Sequence, residues 1–174
     1  PLDLRGLLKK AAAEAAGKGV GCCFGAEYEF YLFKNDENGA PTSIPIDNAG
    51  YMDMAPDDLG ENVRREICLT LAEMGISPEA SHHEEGPGQN EIDFRYSDAL
   101  SAADNSVTFK TVVKTVAARN GLYACFDPKP IANAAGSGMH INVSPNMPKG
   151  GDGFYPFMAG ILEHISEITL FLNP

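Results

Sequence analysis

The chain has 174 residues, enough for about one domain with an ordinary core, and its hydrophobic content of 44% marks it as soluble and globular. No run approaches the ~20 apolar residues of a membrane helix, and no signal peptide opens the sequence. A net charge of −11 argues against nucleic acid or an anionic membrane surface as partner, although bound divalent cations can still make room for a phosphate ligand.

Residues 3–17 read as a helix with Asp3 as N-cap and Leu4, Leu7, Leu8, Ala11, Ala12 and Ala15 on one face, stopped by Gly17 and Gly19. A strand over 20–33 follows, then a turn at Asn35–Gly39 and an irregular stretch at 40–56 that contains three prolines. Leu59, Val63, Ile67, Leu71 and Met74 recur at helical spacing up to Gly75. Pro78 to Ser81 leads into a second strand-like segment, and 98–119 is a helix closed by Asn120-Gly121. Strand 122–126 leads through Asp127-Pro-Lys-Pro130 to a third such segment, and a loop at 145–153 precedes an apolar-rich helix at 157–172. Cys22, Cys23, Cys68 and Cys125 form no C-x-x-C pair, so they read as buried free thiols of a reducing cytoplasm.

Three segments alternate apolar and polar residues, and side chains two apart on a strand share a face. Glu27 and Glu29 oppose Phe24, Ala26, Tyr28, Phe30 and Leu32. Glu91 and Asp93 oppose Ile92 and Phe94, and His140, Asn142 and Ser144 oppose Met139, Ile141 and Val143. Carboxylates on a half-buried sheet are costly unless a cation sits among them. Magnesium and manganese prefer oxygen ligands, with imidazole acceptable to manganese, so Glu27, Glu29, Glu84, Glu91 and His140 form a candidate two-metal set if their strands are neighbours. The turn Glu85-Gly-Pro-Gly88 lets Glu84 and Glu91 approach one ion, and the glycines of Gly136-Ser-Gly138 let backbone come close to a ligand. The competing reading of each segment taken singly is a solvated sheet face, a hydrogen-bonded structural histidine, or a surface pair at His82-His83.

At Gly25-Ala-Glu-Tyr-Glu-Phe30, His82–Phe94, Ala103-Asp-Asn105, Asp127-Pro-Lys-Pro130 and Gly136-Ser-Gly-Met-His140 the chain resembles the catalytic domain of glutamine synthetase, in the family's order and over nearly its whole length. The resemblance implies an α+β fold, a curved antiparallel sheet with helices packed on one side, akin to guanidino kinases. It also implies an ATP-dependent ligase that phosphorylates the γ-carboxylate of glutamate and lets ammonia displace phosphate. By position, Glu29, Glu84 and Glu91 resemble ligands of a first Mg2+ or Mn2+, and Glu27 and His140 those of a second. Glu84 and Tyr51 align with the ammonium pocket; Glu79, His82, Tyr96 and Ser144 with nucleotide-side positions; Gly136 with the glycine that meets substrate glutamate.

Ala135 stands where the family usually has Asn, and Asn142 where it usually has His, which bears on the glutamate and phosphate sites. A γ-glutamyl–amine ligase and a non-catalytic metal- or nucleotide-binding module are therefore alternative readings. The family's later arginines, final second-metal glutamate, flap glutamate and N-terminal domain are not in this sequence. The expectation is a partial catalytic domain, spanning 1–174, that is nearly inactive alone and comes from a ring-shaped homo-oligomer.

Overall fold

A computed structural model of the chain describes residues 3–147 and 150–172; Pro148 and Lys149 of the expected 145–153 loop and the terminal Asn173-Pro174 lie outside them. The elements are α1 (Leu4–Gly17), β1 (Cys22–Asn35), β2 (Pro41–Pro45), α2 (Glu61–Glu73), β3 (Pro78–His83), β4 (Gln89–Asp98), α3 (Ala99–Arg119), β5 (Leu122–Cys125), β6 (Met139–Pro145) and α4 (Phe154–Leu172). They form two compact units, Phe24–Val143 on one hand and 1–23 with 144–174 on the other.

In the larger unit a sheet runs in the order β2-β1-β4-β3, with β5 and β6 also pairing with β1. The β1/β2, β1/β5 and β3/β4 pairs are antiparallel. Period-2 alternation brings Ala26, Tyr28, Phe30 and Leu32 of β1 and Ile92 and Phe94 of β4 into one core cluster with α2 and α3. The helices bring Val63, Ile67 and Leu71 from α2 and Phe109, Val113 and Val116 from α3, residues at the three-to-four spacing of one helix face. Phe109 sits centrally, with its ring centroid 5.0 Å from Tyr28, 5.6 Å from Phe94 and 6.2 Å from Phe30. Because α2 and α3 share this cluster, they cover one face of the sheet and leave Glu27 and Glu29 on the other. The fold is the expected α+β arrangement of helices against an antiparallel sheet.

Several expectations require correction. Pro41–Pro45 is a strand rather than irregular chain, because Pro45 and Pro41 pair with Phe33 and Asn35 near the end of β1. Leu59 and Met74 lie just outside α2 and are 58% and 56% exposed. Tyr31 and Phe33 point away from the main core yet are buried, in a second small cluster with Cys125 and Ile131. Met139, Ile141 and Val143 are 38–48% exposed and do not join the core cluster. Of the four free thiols only Cys125 is buried; the others are half-buried.

In the smaller unit Asp3 caps α1 by accepting from the Gly6 N–H at 2.8 Å. Gly21 and Asn146 are tied twice, N–H of Gly21 to Asn146 Oδ1 at 2.7 Å and N–H of Asn146 to the Gly21 carbonyl at 2.8 Å. Neither α1 nor α4 buries a residue, so the apolar face expected of α1 is exposed at Leu4 and Leu7.

Candidate functional site

The site grows from the β3–β4 hairpin. His82 pairs with Glu91 and His83 with Asn90, while the Glu84 N–H donates to the Gln89 carbonyl at 2.9 Å and closes the 84–89 turn. Alternation then sends Gln89, Glu91 and Asp93 to the side of Glu27 and Glu29, and sends Asn90 and Ile92 toward the helices. The expected meeting of Glu84 and Glu91 occurs, with His82 between them: its Nδ1 is 3.6 Å from Glu84 Oε1 and its Nε2 3.8 Å from Glu91 Oε1. These three residues bring ligand atoms within 4.8 Å of one another. The Tyr51 ring stands edge-on to His82 at 5.6 Å, so both residues expected of the ammonium side lie against this cluster.

Glu29 enters from β1. Its Oε2 accepts from Gln89 Nε2 at 2.7 Å and from the Gly138 N–H at 3.0 Å. Gln89 is fully buried and uses every polar atom. Its Nε2 also donates to the Gly136 carbonyl at 2.9 Å, and its Oε1 accepts from the Gly86 N–H at 2.8 Å. The Tyr31 hydroxyl donates to the Ala135 carbonyl at 2.6 Å, and burial with the charges of Glu29 and Glu84 pushes its pKa up to about 12. Tyr31 and Gln89 thus lock the 135–138 loop onto β1 and β4. Neither residue was singled out from sequence, although the alternation that identifies Glu91 and Asp93 also places Gln89 on the same face.

The second expected pair also meets. His140 Nδ1 is 3.0 Å from Glu27 Oε2, and Asn142 Nδ2 donates to Glu27 Oε1 at 2.6 Å. This end is open, His140 being 66% and Glu27 34% exposed at the side chain. A Cβ at Gly25 would lie 3.6 Å from Tyr96 Cβ and 3.9 Å from Asn142 Cβ, so these two residues flank β1 at that point. Tyr96 is exposed beneath the Arg95 guanidinium, 5.9 Å from its ring centroid, and Glu79 is exposed on β3. Ser144 is on β6 and falls in the smaller unit.

The electrostatics of the central cluster are those of carboxylates lacking a counter-charge. Burial, then Asp93, Glu84 and Glu29, push the Glu91 carboxyl up to about 8. Burial also raises Asp93, although the hydrogen bond it receives from Glu91 acts the other way. Asp93 Oδ1 is buried without a hydrogen-bond partner among the described residues. Crowded oxygens, one of them orphaned, beside an imidazole make a donor set that fits Mg2+ or Mn2+.

His83 is not half of a surface pair. It is fully buried on the helix side of β3, and its Nε2 lies 3.0 Å from Asp47 Oδ1. Close by, Arg64 of α2 forks onto Asp58 at 2.5 and 3.2 Å and reaches Asn90 Oδ1 at 2.5 Å and Ser81 at 3.2 Å. Asp47, Asp58 and His83 could be mistaken for metal ligands by their proximity, but the guanidinium already supplies the cation there.

The sequence profile of the family "Glutamine synthetase, catalytic domain" matches residues 1–174. The chain belongs to the glutamine synthetase catalytic-domain family. It is 49% identical over 99% of its length to the glutamine synthetase of Clostridium saccharobutylicum and 48% identical to that of Staphylococcus aureus strain MW2, spanning 42% of each relative. Among solved structures, Plasmodium falciparum glutamine synthetase superimposes with a TM-score of 0.83 at 26% identity, covering 97% of this chain and 41% of that one. A GmaS/ADP complex superimposes with a TM-score of 0.71 at 38% identity, covering 85% of this chain and 34% of that one.

The turn after Glu85 leaves no room for a side chain at Gly86. A Cβ at Gly86 would collide with the Tyr31 hydroxyl and lie 2.8 Å from Gln89 Oε1. Gly86→Ala should therefore destabilise the fold by about 1–3 kcal/mol, as overpacking does, measured as a lower urea midpoint with an unchanged slope. A stability equal to that of the parent chain would mean that Tyr31 and Gln89 can move aside freely.

Proposed function

We propose that this chain supplies the metal-binding part of the active site of an ATP-dependent carboxylate–amine ligase that makes glutamine from glutamate and ammonia through γ-glutamyl phosphate. The reading rests above all on the convergence of Glu29, Glu84 and Glu91 around His82 and Gln89, with Asp93 left short of a partner. Family membership and an oxygen-rich donor set support it. Glu29, Glu84 and Glu91 would hold the first divalent ion, and Glu27 with His140 the second. When bound, such ions neutralise the carboxylates and stabilise charge on the transferring phosphoryl group.

The chain's own groups then have distinct tasks. Glu84, with Tyr51 beside the cluster, attracts ammonium and takes a proton at its carboxylate, leaving ammonia as nucleophile. The Gly136 backbone, held by Gln89, orients glutamate. Glu79 and His82 serve the nucleotide, and Tyr96 presents an aromatic face for adenine. Asn142 stands beside Glu27 as a neutral donor toward the phosphates. ATP, glutamate and ammonium are the proposed small-molecule partners. The proposed assembly is the ring-shaped homo-oligomer that the resemblance implies. Among the described residues no helix is long and apolar enough to cross a membrane, and the four thiols are free. Both features accord with the cytoplasm as its place.

Isotope transfer tests this reading at the carboxylate-activation step. Glutamate carrying 18O in its γ-carboxylate should pass label to inorganic phosphate in the presence of a full-length ligase containing this chain, ATP, Mg2+ and ammonium, while the 174-residue chain alone should transfer almost none. Ammonium should support turnover better than methylamine. Label transfer with preference for the larger amine would favour the γ-glutamyl–amine ligase. Nucleotide binding without any label transfer by the full-length protein would leave the non-catalytic module.

A further inference from the structure

The buried pair behind the hairpin has no part in the chemistry above, yet several of its bonds end on the segments that carry it. His83 Nδ1 donates to the Glu84 carbonyl at 2.6 Å, and the His83 carbonyl accepts the Met52 N–H at 3.0 Å, next to Tyr51. Asp47 Oδ1 meets His83 Nε2 and also accepts the Gly88 N–H at 2.9 Å, while Oδ2 accepts the Leu59 N–H at 3.0 Å. The turn bearing Glu84 is therefore held at both ends by one side-chain pair, the Glu84 end through His83 and the Gly88 end through Asp47. Gly88 itself has a φ of 68°, and a Cβ there would lie 2.8 Å from the Leu32 carbonyl, so the turn has little room to shift.

We infer that Asp47 and His83 are positioning residues, a clamp that fixes the Glu84–Gly88 turn and with it the direction in which Glu84 meets its ligand. The inference deepens the cation-site reading and rests on it only for the consequence at Glu84. The clamp itself is visible without any ion. Outer groups that orient ligands typically alter metal affinity ~10–100-fold when removed.

The test compares the chain with its Asp47→Ala and Asp47→Asn variants. Amide exchange in the metal-free proteins should show Gly88 accelerated on the order of 100-fold in Asp47→Ala, while Ile92 in β4 is unchanged. Asp47→Asn keeps an oxygen for the Gly88 N–H and should accelerate it less than about tenfold. Mn2+ affinity should fall ~10–100-fold in Asp47→Ala and be largely restored in Asp47→Asn. Gly88 unaffected by Asp47→Ala, or Gly88 and Ile92 accelerated alike, would overturn the clamp. A parent chain that binds no Mn2+ while Gly88 responds as stated would uphold the clamp and instead refute the cation reading.

Discussion

Arg64→Ala should lower the unfolding free energy by about 3–5 kcal/mol, the range found when one partner of a buried ion pair is removed. The loss arises because Asp58, with 1% of its side chain exposed, keeps its charge and loses its cation, while Asn90 and Ser81 lose a shared donor. Arg64→Lys should recover only part of this, because an ammonium cannot fork onto both Asp58 oxygens while reaching Asn90. Burial alone would raise the Asp58 carboxyl, but the hydrogen bonds and charge of Arg64, with the Gly60 N–H, hold it below its ordinary 3.8. A carboxyl depressed in the folded state contributes stability above its unfolded pKa and loses it as pH falls through the folded one. The gap between parent and Arg64→Ala should therefore begin to shrink already above 3.8, where the buried, unpaired carboxyl of the variant takes up a proton. It should go on shrinking below 3.8 as the parent's carboxyl does, as read from urea melts at each pH. A gap independent of pH would assign the loss to packing instead.

Cation binding should likewise weaken as pH falls, whereas the stability of the metal-free chain should have the opposite pH sense. Glu91 is raised from 4.5 to about 8, so between those values the fold keeps a proton that the unfolded chain releases. The metal-free chain should accordingly lose stability as pH rises from about 4.5 toward 8. A divalent ion must displace that proton, so apparent affinity should fall about tenfold for each pH unit below 8 and release about one proton per ion. Glu91→Gln should bind more weakly and flatten the slope. An affinity independent of pH between 6 and 8 in the parent chain would show that Glu91 carries no proton to displace.

The parts of this site that were legible in the sequence are those written in local periodicity. Alternation alone puts Glu27 with Glu29 and Glu91 with Asp93 on the face opposite Phe30 and Ile92, and the structure keeps both assignments. Gln89 was within reach of the same rule but carries no charge to draw notice. The Asp47–His83 contact joins positions 36 residues apart through a loop of no regular period, so no local pattern announces it. His82 and His83 look equivalent as a dipeptide and separate only once pairing with Glu91 and Asn90 fixes which face is which. The reverse error came at Met139, Ile141 and Val143, where a sound alternation predicted a core face. Alternation states which residues share a face and says nothing about whether another element covers it.

The ligase reading requires that these carboxylates hold two cations. Calorimetric titration of the chain with Mn2+ near pH 8 tests this most directly, run beside Glu29→Gln and His140→Ala. Two saturable events are predicted, one weakened at least ~10-fold by Glu29→Gln and the other by His140→Ala. A folded chain that takes up no Mn2+, or binding that neither substitution alters, would contradict it.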